Sequence, residues 1–493
     1  MAVADVKEAD IRALECVRLF ASAVAGCMNL FGRGIVMTAR RLPLLLVLTV
    51  SAAWAEDVRF VKDIRSLSNS SSSPRLFEDA NGVAFFYATE NDGTYLWKSD
   101  GSTAGTIRLK KVQSTMLSFL PSGGSGPAVC FMERDVTQGT QLWRTNGTVG
   151  GTAMVKDLWP ALSAFAGPPQ WITHANNALF FSPPADQPSR GYDLWKSDGT
   201  AAGTVIVKRL SYIDSDGAVP KNQRKLVMGG ILYFAADDGT SGMELWKSDG
   251  TASGTVMVKD IAPYGPSSPH HLTDVNGTLF FAVSWTESGG AGIYKSDGTA
   301  QGTVLVKKIG MPKELTNVNG TLFFAGDAGT TGHDLWKSDG TTAGTVMVKS
   351  MEITTTPDDV SYFTSMNGLL FFIAGYDDLW KSDGTAAGTV RVKTVPPVPR
   401  SCYYLTAVNG NLFFSASTST YGRELWRSDG TEAGTVMLAD INPGTATSAP
   451  EELTKIGDRL FFSAIDPTHG REPWVVDNIP DRTRTAVKEW PRY

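Results

Sequence analysis

Histidine and cysteine are scarce: 493 residues include five His and four Cys. No HExxH, His-x-His or GxSxG spacing occurs, so the common zinc-hydrolase and serine-hydrolase signatures are missing and no metal ligand or catalytic residue is assigned. Four thiols do not make a disulfide framework. Cys16 and Cys27 lie in a leader-like region, while Cys130 and Cys402 sit far apart and read as small apolar core side chains. Positive charge is not in excess either. Lys and Arg number 45 against 50 Asp and Glu, a formal balance of −5 that excludes a basic nucleic-acid footprint. No run beyond residue 55 is apolar enough to cross a bilayer, so the mature chain is expected to lack a transmembrane segment.

Arg40-Arg41 precedes an apolar run, Leu42 to Val50, and then Ala53-Trp54-Ala55. A basic start, a short apolar core and an A-x-A site form a secretory signal peptide. It fits a start at Met37, which makes 1–36 an upstream extension from a misplaced start and 37–55 the signal. Cleavage after Ala55 removes six basic and four acidic residues and moves the charge from −5 to −7. The expected location is exported: periplasmic, outer-surface or extracellular.

Glycine, by contrast, is abundant, at 50 residues, as many tight turns require. Glu244-Leu245-Trp246-Lys247-Ser248-Asp249-Gly250-Thr251, followed by Gly254-Thr255, recurs along the chain. Its aromatic falls at Trp97, Trp143, Trp195, Trp246, Tyr294, Trp336, Trp380, Trp426 and Trp474, 42 to 52 residues apart. That period signals a repeat array or a propeller, with the aromatics as core.

Each unit reads as four strands. Leu272–Val275 (A) turns at Asn276-Gly277 into Leu279–Ala282 (B), because Asn-Gly supplies the positive φ angles of a two-residue hairpin. The Leu-Trp strand (C) turns at Asp249-Gly250 into the β-branched strand Val256–Lys259 (D). A linker rich in Pro, Gly and Ser then leads to the next A. The acidic residue before Leu-Trp (Asp193, Glu244, Asp334, Asp378, Glu424, Glu472) reads as a backbone hydrogen-bonding group. The Asp-Gly-Thr turns offer too few carboxylates each to hold calcium.

Val58 to Ile64 reads as a D strand with nothing before it, and the ninth unit ends at Trp474–Asp477 without its own D. Pairing the two would close a ring and remove two sheet edges. Thr485–Glu489 is the competing candidate. The expected fold is all-β: one β-propeller of about nine four-stranded blades over 56–478, with a tail at 479–493. Eight blades plus an appended unit is the alternative.

The Glu244-Leu245-Trp246 … Asp249-Gly250-Thr251 … Gly254-Thr255 pattern resembles the bacterial exported proteins named for their ELWxxDGT repeat. The resemblance covers about 57–478, with Tyr294 for Trp, Asn146 for Asp, Ser102 for Thr and the truncated ninth copy as departures. It implies an exported repeat protein and carries no activity, cofactor or catalytic residue. Ala236, Asp238, Gly242 and Trp246 also resemble the tryptophan-docking motif of quinoprotein propellers, without the adjacent cysteines that would accompany a quinone.

Strand order puts A–B and C–D turns on one face of the ring, and B–C loops and D–A linkers on the other. The second face varies and carries Trp159, Trp171, Tyr192, Tyr264, His270, His271, Trp285, His333, Tyr421 and His469, the ligand-binding candidates. Variable loops on a rigid scaffold are where binding usually resides. The expected protein is a monomeric, non-enzymatic scaffold for a surface glycan or protein. A glycan hydrolase or lyase with acids at the channel mouth, and a calcium-dependent adhesion module, are the alternatives.

Overall fold

In the computed structural model the chain divides into two units, Met1–Ala53 and Trp54–Tyr493. The structure describes residues 56–483, apart from 67–69, 114–119, 122–128, 136–138, 160–170, 184–191, 214–223, 284–289, 328, 330–331, 352–359, 376–377 and 395–401. The leader and the Thr485–Glu489 alternative lie outside the described residues.

Nine small antiparallel sheets make a nine-bladed β-propeller, and no helix occurs among the described residues. Blade 1 runs from Arg75–Ala80 (strand A) to Ile107–Val112 (D), and blade 4 from Lys225–Met228 to Val256–Lys259. Blades 5 to 9 begin at His270–Val275, Gly310–Val318, Val360–Met366, Tyr403–Val408 and Glu451–Ile456. Blade 4 carries an extra short strand, Tyr212–Ile213, beside its B strand.

The ring closes as the orphan strand demands. Asp57–Phe60 pairs antiparallel with Gly470–Asp477 as the outer strand of blade 9, with Phe60 opposite Trp474. Among the described residues, nine hydrophobic clusters fill the seams. In one, Phe77, Phe86 and Trp97 of blade 1 pack against Ile456, Phe461 and Val475 of blade 9. First strands touch in succession from blade 4 through blade 9 to blade 1, then on through blades 2 and 3. They therefore form the inner wall, and the channel is the solvent they face.

The recurrent motif is the joint between blades. Trp246, 4% exposed, packs with Phe180, Leu194 and Val207 of the preceding blade. Lys208 of that blade donates to the Thr255 carbonyl (2.9 Å), with its Nζ 5.5 Å from the Trp246 ring centroid. Lys247 donates in turn to the Gly298 carbonyl of blade 5 (2.8 Å). Inside the turn, Asp249 Oδ1 accepts from the amide and hydroxyl of Thr251, both at 2.8 Å, and Thr251 Oγ1 accepts from the Gly254 amide. Thr255 reaches back to the Thr251 carbonyl and shares a hydrogen bond with buried Ser248. Gly250 takes φ +88°, and a Cβ on Gly254 would fall inside the Asp249 carboxyl group. These bonds engage Asp249 Oδ1 within its own turn. Among the described residues, no three His, Cys, Asp or Glu side chains converge as a metal site would require. Cys130 and Cys402 are buried and not in a disulfide, and burial pushes the Cys130 thiol up to about 11.

Candidate functional site

The inner strands are not regular. Among the described residues, the A–B pairing of six blades slips by a bulge near the start of strand A. The same place in each holds a non-glycine residue in the left-handed region: Leu76, His271, Glu314, Tyr362, Tyr404 and Glu452, at φ +54° to +63°. Such a conformation costs about 1–3 kcal/mol for a bulky residue and persists only where the surroundings over-determine it.

Two devices hold it here. After the bulge comes an apolar residue and then, in five of the six blades, a threonine. Thr273, Thr316 and Thr454 donate to the carbonyls of His271, Glu314 and Glu452 at 2.8–3.0 Å. Thr273 and Thr406 also donate across the seam, to the Leu315 and Leu453 carbonyls of the next blade.

The second device is the acidic residue before Leu-Trp. Fully buried Glu244 accepts from the Ile261 and Ser267 amides and the Ser267 hydroxyl. Glu424 does the same with Ile441 and Ser448, and Glu472 with Ile64 and Ser72. Each serine lies four residues before a left-handed position: Ser267 before His271, Ser448 before Glu452, Ser72 before Leu76. The glutamate thus fixes the linker that delivers the next inner strand. Burial raises all three carboxyl pKa values, that of Glu472 to about 7 with Asp63 adding to the shift. In blades 3 and 7 the acid pairs with arginine instead, Asp193 with Arg209 and Asp378 with Arg391. In blade 6, Asp334 accepts from Ser350 and Met351.

The left-handed residues stand at the end of strand A that the D–A linkers feed, the mouth of the channel on the variable face. Backbone and seam are repeated there while the side chains differ. Blades 7 and 8 present Tyr362 and Tyr404, 37% and 39% exposed. Tyr403 lies edge-on to Tyr362 at 6.3 Å, and the Arg423 guanidinium sits 5.2 Å from the Tyr403 ring centroid. Glu451 bridges Arg423 (3.2 Å) and Arg471 (3.5 Å). Blade 5 presents His270 and His271, rings 5.0 Å apart and both buried. Burial, His270, Arg224 and Lys313 hold the His271 pKa down to about 3.

The mouth carboxylates are already engaged. Glu314 accepts from the Phe363 amide of blade 7 (3.1 Å), and Glu452 from the Leu76 amide of blade 1 (3.0 Å). Glu451 holds its two arginines.

The candidates from sequence scatter. His270 and His271 belong to inner strand A rather than a loop, because the bulge lets pairing run past Leu272 to His270. Trp159 ends the strand Ala153–Trp159 and Trp171 begins Trp171–Ala175, so these too are strand residues. Tyr192 packs edge-on to Tyr212 at 5.0 Å. His333 is 8% exposed, and His469 stacks on Phe60 of the closure strand at 4.5 Å while its Nδ1 lies 3.0 Å from Asp466. Tyr264 and Tyr421 are exposed turn residues, at 83% and 42%. Trp285 lies outside the described residues. Of the nine that the structure describes, Trp171, His270 and His271 lie at the mouth end of inner strands, and the two histidines lie side by side there. Sequence reasoning missed Tyr362, Tyr403, Tyr404, Glu451 and Glu452. The available signal was the variable pair before Leu-Thr or Phe-Thr in His270-His271-Leu272-Thr273, Ser361-Tyr362-Phe363-Thr364 and Tyr403-Tyr404-Leu405-Thr406.

Fold and mouth together define the class: a nine-bladed β-propeller with a repeated frame and a varied inner rim. No protein-family model and no curated protein matches the chain. Among solved structures, it is similar to a puromycin hydrolase at 14% identity and TM-score 0.41, with 83% of this chain and 61% of that one covered. It thus spans about three fifths of that hydrolase. It is also similar to the computationally designed Ika8 protein (10% identity, TM-score 0.42, 74% and 98% covered) and to BamB from Moraxella catarrhalis (12%, 0.38, 75% and 99%). Likenesses this loose carry no argument about activity.

Proposed function

We propose that the protein is an exported binding scaffold that takes a surface glycan or protein at the channel mouth, and that it belongs with the ELWxxDGT-repeat proteins it resembles. One observation carries the reading. Six blades spend the same backbone strain at the same place, yet Leu, His, Glu, Tyr, Tyr and Glu fill it. A conserved seam would repeat its side chains, as the Trp and Asp-Gly-Thr positions do. A display position varies them.

Export has its own support. Cleavage after Ala55 would leave the closure strand Asp57–Phe60 whole, with Glu56 kept in its ion pair to Arg427 (2.7 Å). N-terminal sequencing of the exported protein should read from Glu56, and a product that begins inside 57–64 would count against it.

The binding test is an array of surface glycans and proteins probed with the purified chain. A variant with Leu76, His271, Tyr362 and Tyr404 changed to Asn should lose binding, because Asn tolerates the left-handed region. Changes to exposed turn residues on the opposite face, such as Thr251→Ala, should leave it. Equal losses from both would refute the mouth as the site.

A further inference from the structure

The mouth is chemically lopsided, and its blade 7–9 sector sets exposed tyrosines beside paired charges. Tyr362 and Tyr404 are each more than one-third exposed, each on an inner strand whose other residues are mostly half-buried or buried. The charges beside them balance two against two, Arg423 and Arg471 against Glu451 and Glu452, all four near enough to act on the Tyr404 phenol. Glu451 is shared by Arg423 and Arg471, and Arg423 is also stacked against Tyr403. Arg471 is further fixed by the Ala449 carbonyl (2.9 Å) and the Ser463 hydroxyl (3.1 Å). Ion-paired groups held this way exert little net pull on a charged ligand. They do offer hydrogen-bond donors and acceptors at set positions, since a guanidinium has five N–H groups and a carboxylate about four lone-pair sites.

Fixed polar groups beside exposed aromatic faces suit a ligand that is uncharged, rich in hydroxyls and has an apolar ring face to stack. We infer that Tyr362 and Tyr404, with Arg423, Glu451 and Arg471, form a subsite for a neutral saccharide. This rests on the channel mouth being the binding surface, and it names the ligand class there. Burial, followed by the nearby Glu451 and Glu452 charges, raises the Tyr404 pKa, so the phenol stays neutral and able to donate to a sugar oxygen.

The strain supplies a test that a packing role would fail. A tyrosine kept for stability should cost stability when removed, whereas left-handed Tyr404 and Tyr362 should melt no lower as Asn. The experiment is calorimetric titration of the purified chain with neutral hexasaccharides (cellohexaose, laminarihexaose, xylohexaose) and with an oligogalacturonate of equal length, at low and high salt. At least one neutral oligomer should bind, with affinity insensitive to salt. Tyr404→Asn and Tyr362→Asn should each weaken it by about tenfold while the melting temperature holds or rises. Binding of the oligogalacturonate alone, or full affinity in both variants, would overturn the inference. Failure of every oligosaccharide while proteins still bind the mouth on the array would also overturn it and leave the broader reading standing. An array blank for every class would sink both.

Discussion

Glu472 should make the closure seam sensitive to pH. Its carboxylate is fully buried on blade 9 and holds the Ile64 amide, the Ser72 amide and the Ser72 hydroxyl, all on the segment that closes the ring. Burial, with Asp63 in addition, raises its pKa from 4.5 to about 7. A raised carboxyl pKa means the folded state holds the proton more tightly than the unfolded chain. The stabilisation is therefore complete below about pH 4.5 and is lost as pH rises through about 7. A shift of this size corresponds to roughly 3 kcal/mol at full development, at about 1.4 kcal/mol per unit. Glu244 and Glu424 shift the same way and add to the slope. Thermal melts of wild type and Glu472→Gln between pH 4.5 and 8 provide the assay. Wild type should lose stability across that range and the variant distinctly less, with amides of residues 57–64 opening first in wild-type hydrogen exchange. Parallel slopes in the two proteins would refute the reasoning.

Three further outcomes follow from the seams and turns. Trp246→Ala should cost about 3–5 kcal/mol, as large core truncations do; an unchanged melt would show that the indole is not structural. Gly254→Ala should destabilise by about 1–3 kcal/mol through overpacking, because the new Cβ would displace the Asp249 carboxyl, and Gly199→Ala, with open space around it but φ +86°, separates backbone strain from that clash. Millimolar calcium should leave the melting temperature unmoved, since Asp249 Oδ1 and its counterparts already accept from Thr; a clear rise on addition, reversed by chelation, would reinstate the turns as ion sites.

The frame was legible because it repeats. Trp246, Asp249-Gly250-Thr251 and Gly254-Thr255 each serve a local geometric need, and nine copies of the aromatic with eight of the turn made the period, the strand order and the orphan strand at Val58–Phe60 readable. The mouth was hidden for the opposite reason. Tyr362 and Tyr404 look like ordinary strand residues, and only the slipped pairing shows that one position in each of six blades turns left-handed at the channel mouth. His270 and His271 were noticed for their chemistry yet placed in a linker, because a bulge leaves no mark in simple alternation. The acid before Leu-Trp was readable as a backbone clasp. That it clasps the linker feeding the next inner strand depends on a separation of 23 or 24 residues within the chain, which pattern alone does not reveal.

Hydrogen exchange with and without a ligand drawn from the array tests most directly whether the varied inner rim is the working surface. Protection should concentrate at residues 75–76, 270–271, 313–314, 361–362, 403–404 and 451–452, on one end of the channel. Protection confined to the Asp-Gly-Thr turns or to the outer strands would contradict it.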